Sequence, residues 1–313
     1  MHRSTCLSLV GALACAATFR VDAAIPASER AVLIELYQQT DGAHWNNRAN
    51  WRNAADTDFN APGTECGSNG SNGWFGVTCD ADEHVKFLGL GRNNLVGTLP
   101  LNLAELKNVL SIALNGNSIT GTIPSLSGMT ELVSLFLYEN QLTGQIPSLS
   151  SSTHLVDLWL FDNQLSGAIP RLADLPSLET VFLDRNRLSG GIPALSGLTN
   201  LETFSVSGNE LSGGIPSLVG LPNLKAFHVD DNRLSGRMPS LSGSTQLQAV
   251  SLFGNQLSGP LPAPPASLLA NASTLCPNHF DIADNAAWEA ADSSTPWWRY
   301  CDEFFNSDFE FHP

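Results

Sequence analysis

The sequence predicts an α/β solenoid, a fold in which similar coils stack along one axis and short strands form a parallel sheet on the concave face. Three observations predict it. One segment recurs eight times, aligned on an Asn, at a step of 24 residues once and 23 thereafter. Apolar residues alternate before each Asn, and a Gly followed three residues later by a Pro closes each copy. Such a fixed period is typical of stacked repeats. The aligned residues are Asn93, Asn117, Asn140, Asn163, Asn186, Asn209, Asn232 and Asn255.

Residues 155–170 show how one coil is built. Leu158 and Leu160 alternate with other residues, which is typical of a short strand with one buried face. Asn163 follows where the chain must turn, and its amide can donate to and accept from backbone groups inside the coil. Gly167 and Pro170 then bend the chain so that it returns along the outer face. Stacking buries the leucines of all coils at once.

These units resemble leucine-rich repeats. Their tail, Leu-x-Gly-x-Ile-Pro, is present at 142–147 and in seven further close variants. It is similar to the plant-type subclass, known from ectodomains of receptor-like kinases and from polygalacturonase-inhibiting proteins. The resemblance covers roughly residues 85–262 and implies a right-handed coil of eight repeats between disulfide-bonded caps. It also makes inhibition of a secreted enzyme one concrete role for this chain.

Residues 1–24 have the pattern of a secretory signal peptide. A basic start (His2, Arg3) precedes an apolar stretch, and small residues follow at Ala23 and Ala24. A membrane anchor is the alternative, but the apolar run is short and ends at Arg20. No other stretch could span a bilayer. We therefore predict a secreted or periplasmic protein.

The charge of the chain limits its partners. There are 30 acidic residues against 15 Lys and Arg, for a formal net charge of -15. Nucleic acid is an unsuitable partner because few cations are available to neutralise phosphates, and polyanions are disfavoured for the same reason. An extracellular protein or peptide with basic groups, or a neutral glycan, remains suitable.

Four cysteines lie outside both the repeats and the leader, and their placement predicts two cap disulfides, Cys66–Cys79 and Cys276–Cys301. A metal site is the alternative, but it would need closer Cys spacing and nearby His ligands. We divide the chain into a signal peptide (1–24), an N-terminal cap (25–84), a repeat array (85–265), and a C-terminal cap with an acidic aromatic tail (266–313).

The N-terminal cap is expected to be a helix, from Ser28 to Gln39, followed by a Trp-rich disulfide loop. Trp45 and Trp51 can serve either as cap core or as ligand contacts, and we favour the core. In the tail, residues 304–311 can pack on the cap or bind a partner.

We predict no enzyme activity, no cofactor and no metal. The histidines do not recur with Ser, Cys or carboxylates at a spacing that a catalytic triad, a zinc protease or a phosphate loop requires. Asp230 and Asp231 lie where a coil turns, without the alternating ligands of a calcium loop.

The positions that the repeat leaves free lie on the concave strands. The residue between the two strand leucines points away from the core, and so does the residue after the second leucine. In coils three to five these columns hold five aromatic residues: Phe136, Tyr138, Trp159, Phe161 and Phe182. Since adjacent strands lie about 4.8 Å apart, we predict one contiguous group, named the aromatic patch. Charged residues predicted to surround it include Glu139, Asp162, Asp184 and Arg185.

The aromatic patch allows two interpretations. Aromatic residues stabilise each other across neighbouring strands, so the patch can be structural. Other coils place Ser and Ala in the same columns, however, and we therefore favour a binding site. The preferred function is non-catalytic recognition of a protein or peptide, as an enzyme inhibitor or host-interaction factor. Carbohydrate binding, with rings stacked on sugar faces, is the alternative. A purely structural or surface-coat role would make the patch dispensable.

Overall fold

Each coil contributes one short strand to a ten-stranded sheet, named the main sheet. The computed structural model describes residues 24–66, 73–270, 272–281 and 286–292. Numbered along the chain, the main-sheet strands are, in spatial order, β1 (Val77–Cys79), β2 (Val85–Gly89), β4 (Ser111–Ala113), β6 (Ser134–Phe136), β8 (Asp157–Trp159), β10 (Thr180–Phe182), β12 (Thr203–Ser205), β14 (Ala226–His228), β16 (Ala249–Ser251) and β18 (Ser273–Thr274). β1 pairs with β2 in antiparallel fashion. The pairs that follow are parallel, and Leu158 lies opposite Val181.

The middle residue of each repeat strand supplies the core. Leu158, Val181 and Phe204 are fully buried, while the residues on either side of Leu158 are only half-buried. The outer-face positions Leu175 and Leu198 are also fully buried, so one continuous core runs through the stack. The predicted alternation is confirmed.

The Leu-x-Gly tails form a second parallel sheet, which we did not predict. Its strands, in spatial order, are β19 (His279–Phe280), β17 (Gln256–Gly259), β15 (Arg233–Gly236), β13 (Glu210–Gly213), β11 (Arg187–Gly190), β9 (Gln164–Gly167) and β7 (Thr143–Gly144). β3 (Val96–Thr98) and β5 (Ser118–Thr120) form a separate pair. Adjacent coils are therefore joined through two hydrogen-bonded sheets.

The predicted role of the repeat Asn is confirmed. The Asn163 Oδ1 accepts from Leu142 N at 2.9 Å, and its Nδ2 donates to the carbonyl oxygens of Leu137 and Leu160 at 3.0 and 3.1 Å. Equivalent bonds recur from Asn140 to Asn255, forming the Asn ladder. Each Asn thus pairs buried backbone groups of its own coil and of the coil before it.

The Asn ladder continues for one step beyond the eight repeats found in the sequence. Asn278 lies 23 residues after Asn255, its Oδ1 accepts from Leu257 N at 2.9 Å, and its Nδ2 donates to Leu252 O at 2.8 Å. The C-terminal region therefore begins with a further coil, which supplies β18 and β19.

The N-terminal cap closes the first coil. Its helix α1 (Ala27–Gln39) begins one residue before the predicted Ser28, because Pro26 occupies the N-cap position and supplies the first carbonyl acceptor, to Arg30 N. Trp45 and Trp51 are buried with ring centroids 5.0 Å apart, so their prediction as cap core is confirmed. The predicted disulfide Cys66–Cys79 is present, with Cα atoms 5.4 Å apart.

At the other end, helix α2 (Ala286–Asp292) buries Trp288, whose indole N–H donates to Pro262 O at 2.7 Å. Cys276 is disulfide-bonded. Its predicted partner Cys301 lies outside the described residues, as do residues 1–23 of the predicted signal peptide and the aromatic tail. Within the described ranges, no helix is both long and apolar enough to cross a bilayer.

A buried carboxylate joins α1 to the first coil. Glu29, which is 2% exposed, accepts from Val85 N at 2.8 Å and contacts His84 Nδ1 at 2.7 Å. The hydrogen bond to Glu29 raises the pKa of His84 above its ordinary value, and the nearby carboxylates of Asp80 and Asp82 act in the same direction. Protonated His84 therefore stabilises the folded cap.

This contact predicts a pH dependence of stability. Because the folded pKa of His84 is raised, its stabilisation is complete below the ordinary value of about 6.5 and is lost as pH rises through the folded value. Urea unfolding measures this change. As pH rises from about 6 into the alkaline range, we expect the free energy of unfolding to fall further for the wild type than for His84→Gln. Parallel pH profiles for the two proteins would contradict this role.

Candidate ligand-binding face

The five rings of the aromatic patch lie side by side on the solvent-facing side of the main sheet. Tyr138 and Phe161 stack, with centroids 4.4 Å apart and planes 10° apart. Trp159 contacts Phe136 at 4.9 Å and Phe182 at 5.4 Å, both edge to face. All five side chains are half-buried, since the rings cover part of one another. The structure therefore brings together all five residues that the columns predicted.

Trp159 is held in place by a polar chain that we did not predict. Its indole N–H donates to Thr180 Oγ1 at 2.6 Å, and the Thr180 hydroxyl donates to Asp157 Oδ1 at 2.7 Å. Ser134 Oγ donates to the other oxygen of Asp157 at 3.1 Å. Ser134, Asp157 and Thr180 form a third outward-facing column. Each lies two residues before the aromatic residue of the first column in its coil. The period-2 alternation that placed the other columns could have identified it.

Three charged residues beside the patch share one backbone position in successive coils. The residue before the ladder Asn has positive φ, as at Glu139 (54°), Asp162 (53°) and Arg185 (50°). Arg185 Nη2 donates to Asp162 Oδ2 at 2.6 Å, and this pair lowers the pKa of Asp162. Arg92 Nη2 lies 3.0 Å from Glu139 Oε2. Two of the three predicted acids, Glu139 and Asp162, are thus paired with arginines from other coils.

Asp184 differs from the other two acids because it is held by a hydroxyl and a backbone N–H rather than by an arginine. Its Oδ1 accepts from the Ser205 hydroxyl and from Ser207 N, the latter at 3.0 Å. Burial raises the pKa of Asp184 above its ordinary value, although these hydrogen bonds oppose the shift. A cavity of about 330 Å3 lies beside Asp184. It is lined by Asp184, Arg185 and three rings of the patch, those of Trp159, Phe161 and Phe182.

The face is polar in coil six. Ser205 and Ser207 occupy the two columns there, and the Ser207 hydroxyl donates to Asp230 Oδ1 at 2.7 Å. Further along, the hydroxyls of Ser251 and Thr274 lie 2.5 Å apart. The contiguous group of rings is therefore limited to three adjacent coils, with carboxylates on its C-terminal side, and Phe253 is a separate half-buried ring in coil eight.

In the described part of the chain, no group of three or more His, Cys, Asp or Glu side chains is arranged to hold a metal ion. The polar atoms around the patch are carboxylates, hydroxyls and guanidinium groups joined to one another. This arrangement can supply apolar contact area, hydrogen-bond acceptors and negative charge to a bound molecule.

Comparison with known proteins agrees with the repeat and the fold. The family model Leucine Rich Repeat matches residues 200–221. Among curated proteins, Protein MALE DISCOVERER 1 of Arabidopsis thaliana is 34% identical over 98 residues, or 31% of this chain and 12% of that protein. The fold and the Asn ladder define a leucine-rich repeat protein.

Two solved structures are similar over more of the chain. One is the plant peptide hormone receptor RGFR1 in complex with RGF2, with a TM-score of 0.54 and 33% identity, covering 58% of this chain and 31% of that chain. The other is the leucine-rich repeat ectodomain of the membrane receptor kinase GASSHO1/SCHENGEN3 from Arabidopsis thaliana, in complex with CASPARIAN STRIP INTEGRITY FACTOR 2. It has a TM-score of 0.57 and 32% identity, covering 68% of this chain and 30% of that chain. The repeats are similar to those of plant leucine-rich repeat ectodomains, and the chain spans about a third or less of the length of these relatives.

Proposed function

We propose that this protein is an exported, non-catalytic binding protein that recognises a protein or peptide through the aromatic patch. The main observation in support is that contiguous rings occur only in coils three to five of the described array. Phe182 lies directly beside Ser205 in the register of the main sheet, so the same column accepts a small polar residue one coil later. Folding does not require rings at these positions, and aromatic residues are common anchors of interfaces.

The charge around the patch supports a partner with basic groups. Asp157 and Asp184 lie beside the rings, Asp230 lies two coils after Asp184 in the same column, and the whole chain carries a net charge of -15. The rim cation Arg185 is paired with Asp162 and adds no unbalanced positive charge. A basic protein or peptide would be attracted to this face and would find acceptors around its apolar centre.

The similar structures support binding on a repeat array as a general use of the fold. Each of the two receptors was solved with a named partner. Export is supported by the Cys66–Cys79 disulfide, since disulfides persist mainly in oxidising compartments. Within this proposal, inhibition of a secreted enzyme or interaction with a host are the specific roles to test.

The test is capture from extracellular extract by three immobilised proteins. They are the wild type, the patch variant Trp159→Ala/Phe161→Ala, and a control, Leu101→Ala/Val219→Ala. Leu101 and Val219 are exposed apolar residues, 80% and 57% exposed, outside the strands of the main sheet. We expect the wild type and the control to retain the same partner, and the patch variant to lose it.

The affinity of the purified partner should fall at least about 100-fold in the patch variant, because anchor residues at interfaces are each worth 2 kcal/mol or more. The variant should stay folded by circular dichroism, because Trp159 and Phe161 are not part of the continuous buried core and each lost ring pair is worth only about 0.5–1.5 kcal/mol. Equal retention by all three proteins would refute the proposal. If the wild type retained only neutral glycans, and the patch variant did not, carbohydrate binding would replace protein recognition as the proposed function.

A further inference from the structure

The cavity within the aromatic patch is small. Its volume of about 330 Å3 lies at the lower end of ligand pockets, roughly 300–1,000 Å3. Trp159, Phe161 and Phe182 provide its apolar lining, and Asp184 and Arg185 its charged groups. The indole N–H of Trp159 is occupied by Thr180, so this ring offers its π surface rather than a donor.

Asp184 has one oxygen available to a ligand. Its Oδ1 holds both hydrogen bonds, from the Ser205 hydroxyl and from Ser207 N, whereas Oδ2 accepts no hydrogen bond from the described residues. A partly buried carboxylate with an open oxygen is stabilised by a donor that carries positive charge. An apolar occupant would remove this oxygen from water without replacing its hydrogen bonds, which is unfavourable.

Arg185 does not cancel the charge of Asp184. Its Nε and Nη2 both donate to the carboxylate of Asp162, so the two residues form a paired unit. The residues that line the cavity, taken together with Asp162, carry one net negative charge. That charge belongs to Asp184. Aromatic rings attract cations to their faces, and the attraction grows when the cation leaves water.

We propose that the cavity binds the charged side chain of an Arg or Lys of the partner, with the cation against the rings of Trp159, Phe161 and Phe182 and an N–H donated to Asp184 Oδ2. The inference rests on the proposed function, because the cavity is part of the aromatic patch. It specifies which side chain of the partner would bind in the patch. A sugar hydroxyl could donate to Oδ2 but would leave the negative charge unbalanced.

The test uses two short peptides that differ only in charge. One is acetyl-Gly-Ser-Arg-Ser-Gly-amide, and the other has citrulline, which is neutral and nearly the same shape, in place of Arg. Binding is measured by NMR titration at millimolar peptide concentration, the range suited to a single anchored side chain. The proteins are the wild type, Asp184→Asn and the control Asp174→Asn. Asp174 is exposed, is not among the cavity residues, and undergoes the same change of charge.

We expect the Arg peptide to bind the wild type and Asp174→Asn about tenfold or more tightly than the citrulline peptide. Asp184→Asn should remove this preference while remaining folded, because its amide oxygen can still accept from Ser205 and Ser207. Equal binding of the two peptides, no binding of either, or a preference that persists in Asp184→Asn would each overturn the inference. None of these results affects the capture experiment, whose outcome depends on Trp159 and Phe161.

Discussion

Replacing Asn163 with Ala lowers the free energy of unfolding by about 3 kcal/mol, because it leaves several buried backbone groups unpaired. The side chain is 9% exposed and pairs Leu142 N with its oxygen. Its nitrogen donates to the carbonyl groups of Leu137 and Leu160, which lie in the interior. Water cannot replace these bonds without opening the coil, so the cost exceeds that of a surface hydrogen bond.

The measurement is equilibrium urea unfolding of the wild type, Asn163→Ala and the matched control Asn223→Ala. Asn223 is half-buried, and its two side-chain hydrogen bonds, to Thr199 O at 2.9 Å and from Gln246 Nε2 at 3.2 Å, are both exposed to solvent. The control should cost about 0.5 kcal/mol or less, as expected for a surface substitution. If the two variants were equally stable, the Asn ladder would not have the energetic role that its geometry indicates.

Replacing Gly97 with Ala should destabilise the N-terminal cap by about 3 kcal/mol or more. Gly97 has φ +136°, which disfavours any residue with a Cβ, and an added Cβ would overlap the carbonyl oxygen of Gln39 at the end of α1. Val96 N donates to Thr40 O at 3.0 Å, so the two segments cannot separate without losing this bond. The substitution therefore acts on the junction between cap and array.

A second Gly separates the two causes. Gly213 has φ +79°, but an added Cβ there would meet no atom within 4 Å. Gly213→Ala should therefore cost only the conformational penalty, about 1–2 kcal/mol. Hydrogen exchange should show the amides of α1 losing protection in Gly97→Ala alone. Equal destabilisation by the two substitutions would show that the contact with Gln39 is unimportant.

The repeat made most of the fold predictable. The constant step between Asn residues predicted the stack, and alternation of Leu158 and Leu160 predicted which residues are buried. The ninth ladder step was missed because polar Ser273 occupies the place of a buried Leu, Ile, Val or Phe in the other coils, and Phe280 occupies the place of a Leu or Ile. The second sheet was missed because its short Leu-x-Gly strands have no alternation of their own and depend on the neighbouring coils for hydrogen bonds.

The candidate site was predictable in position but not in its polar connections. The constant spacing of equivalent positions placed the five rings together, since strand register is fixed by the repeat. It could not show that Arg185 pairs with Asp162, because that contact depends on positive φ at both residues. Nor could it show that Asp184 is held through Ser205 and Ser207, which requires side-chain positions one coil away.

The Asn ladder has a consequence for how such a protein can change over generations. Each ladder Asn bonds its own coil and the one before it, as Asn163 does with Leu137 and Leu142, so the bonds do not depend on the total number of coils. A duplication or deletion of a 23-residue unit would leave every junction with the same bonds. The length of the face, and the distance of the aromatic patch from either cap, can therefore be altered by whole units through gene recombination.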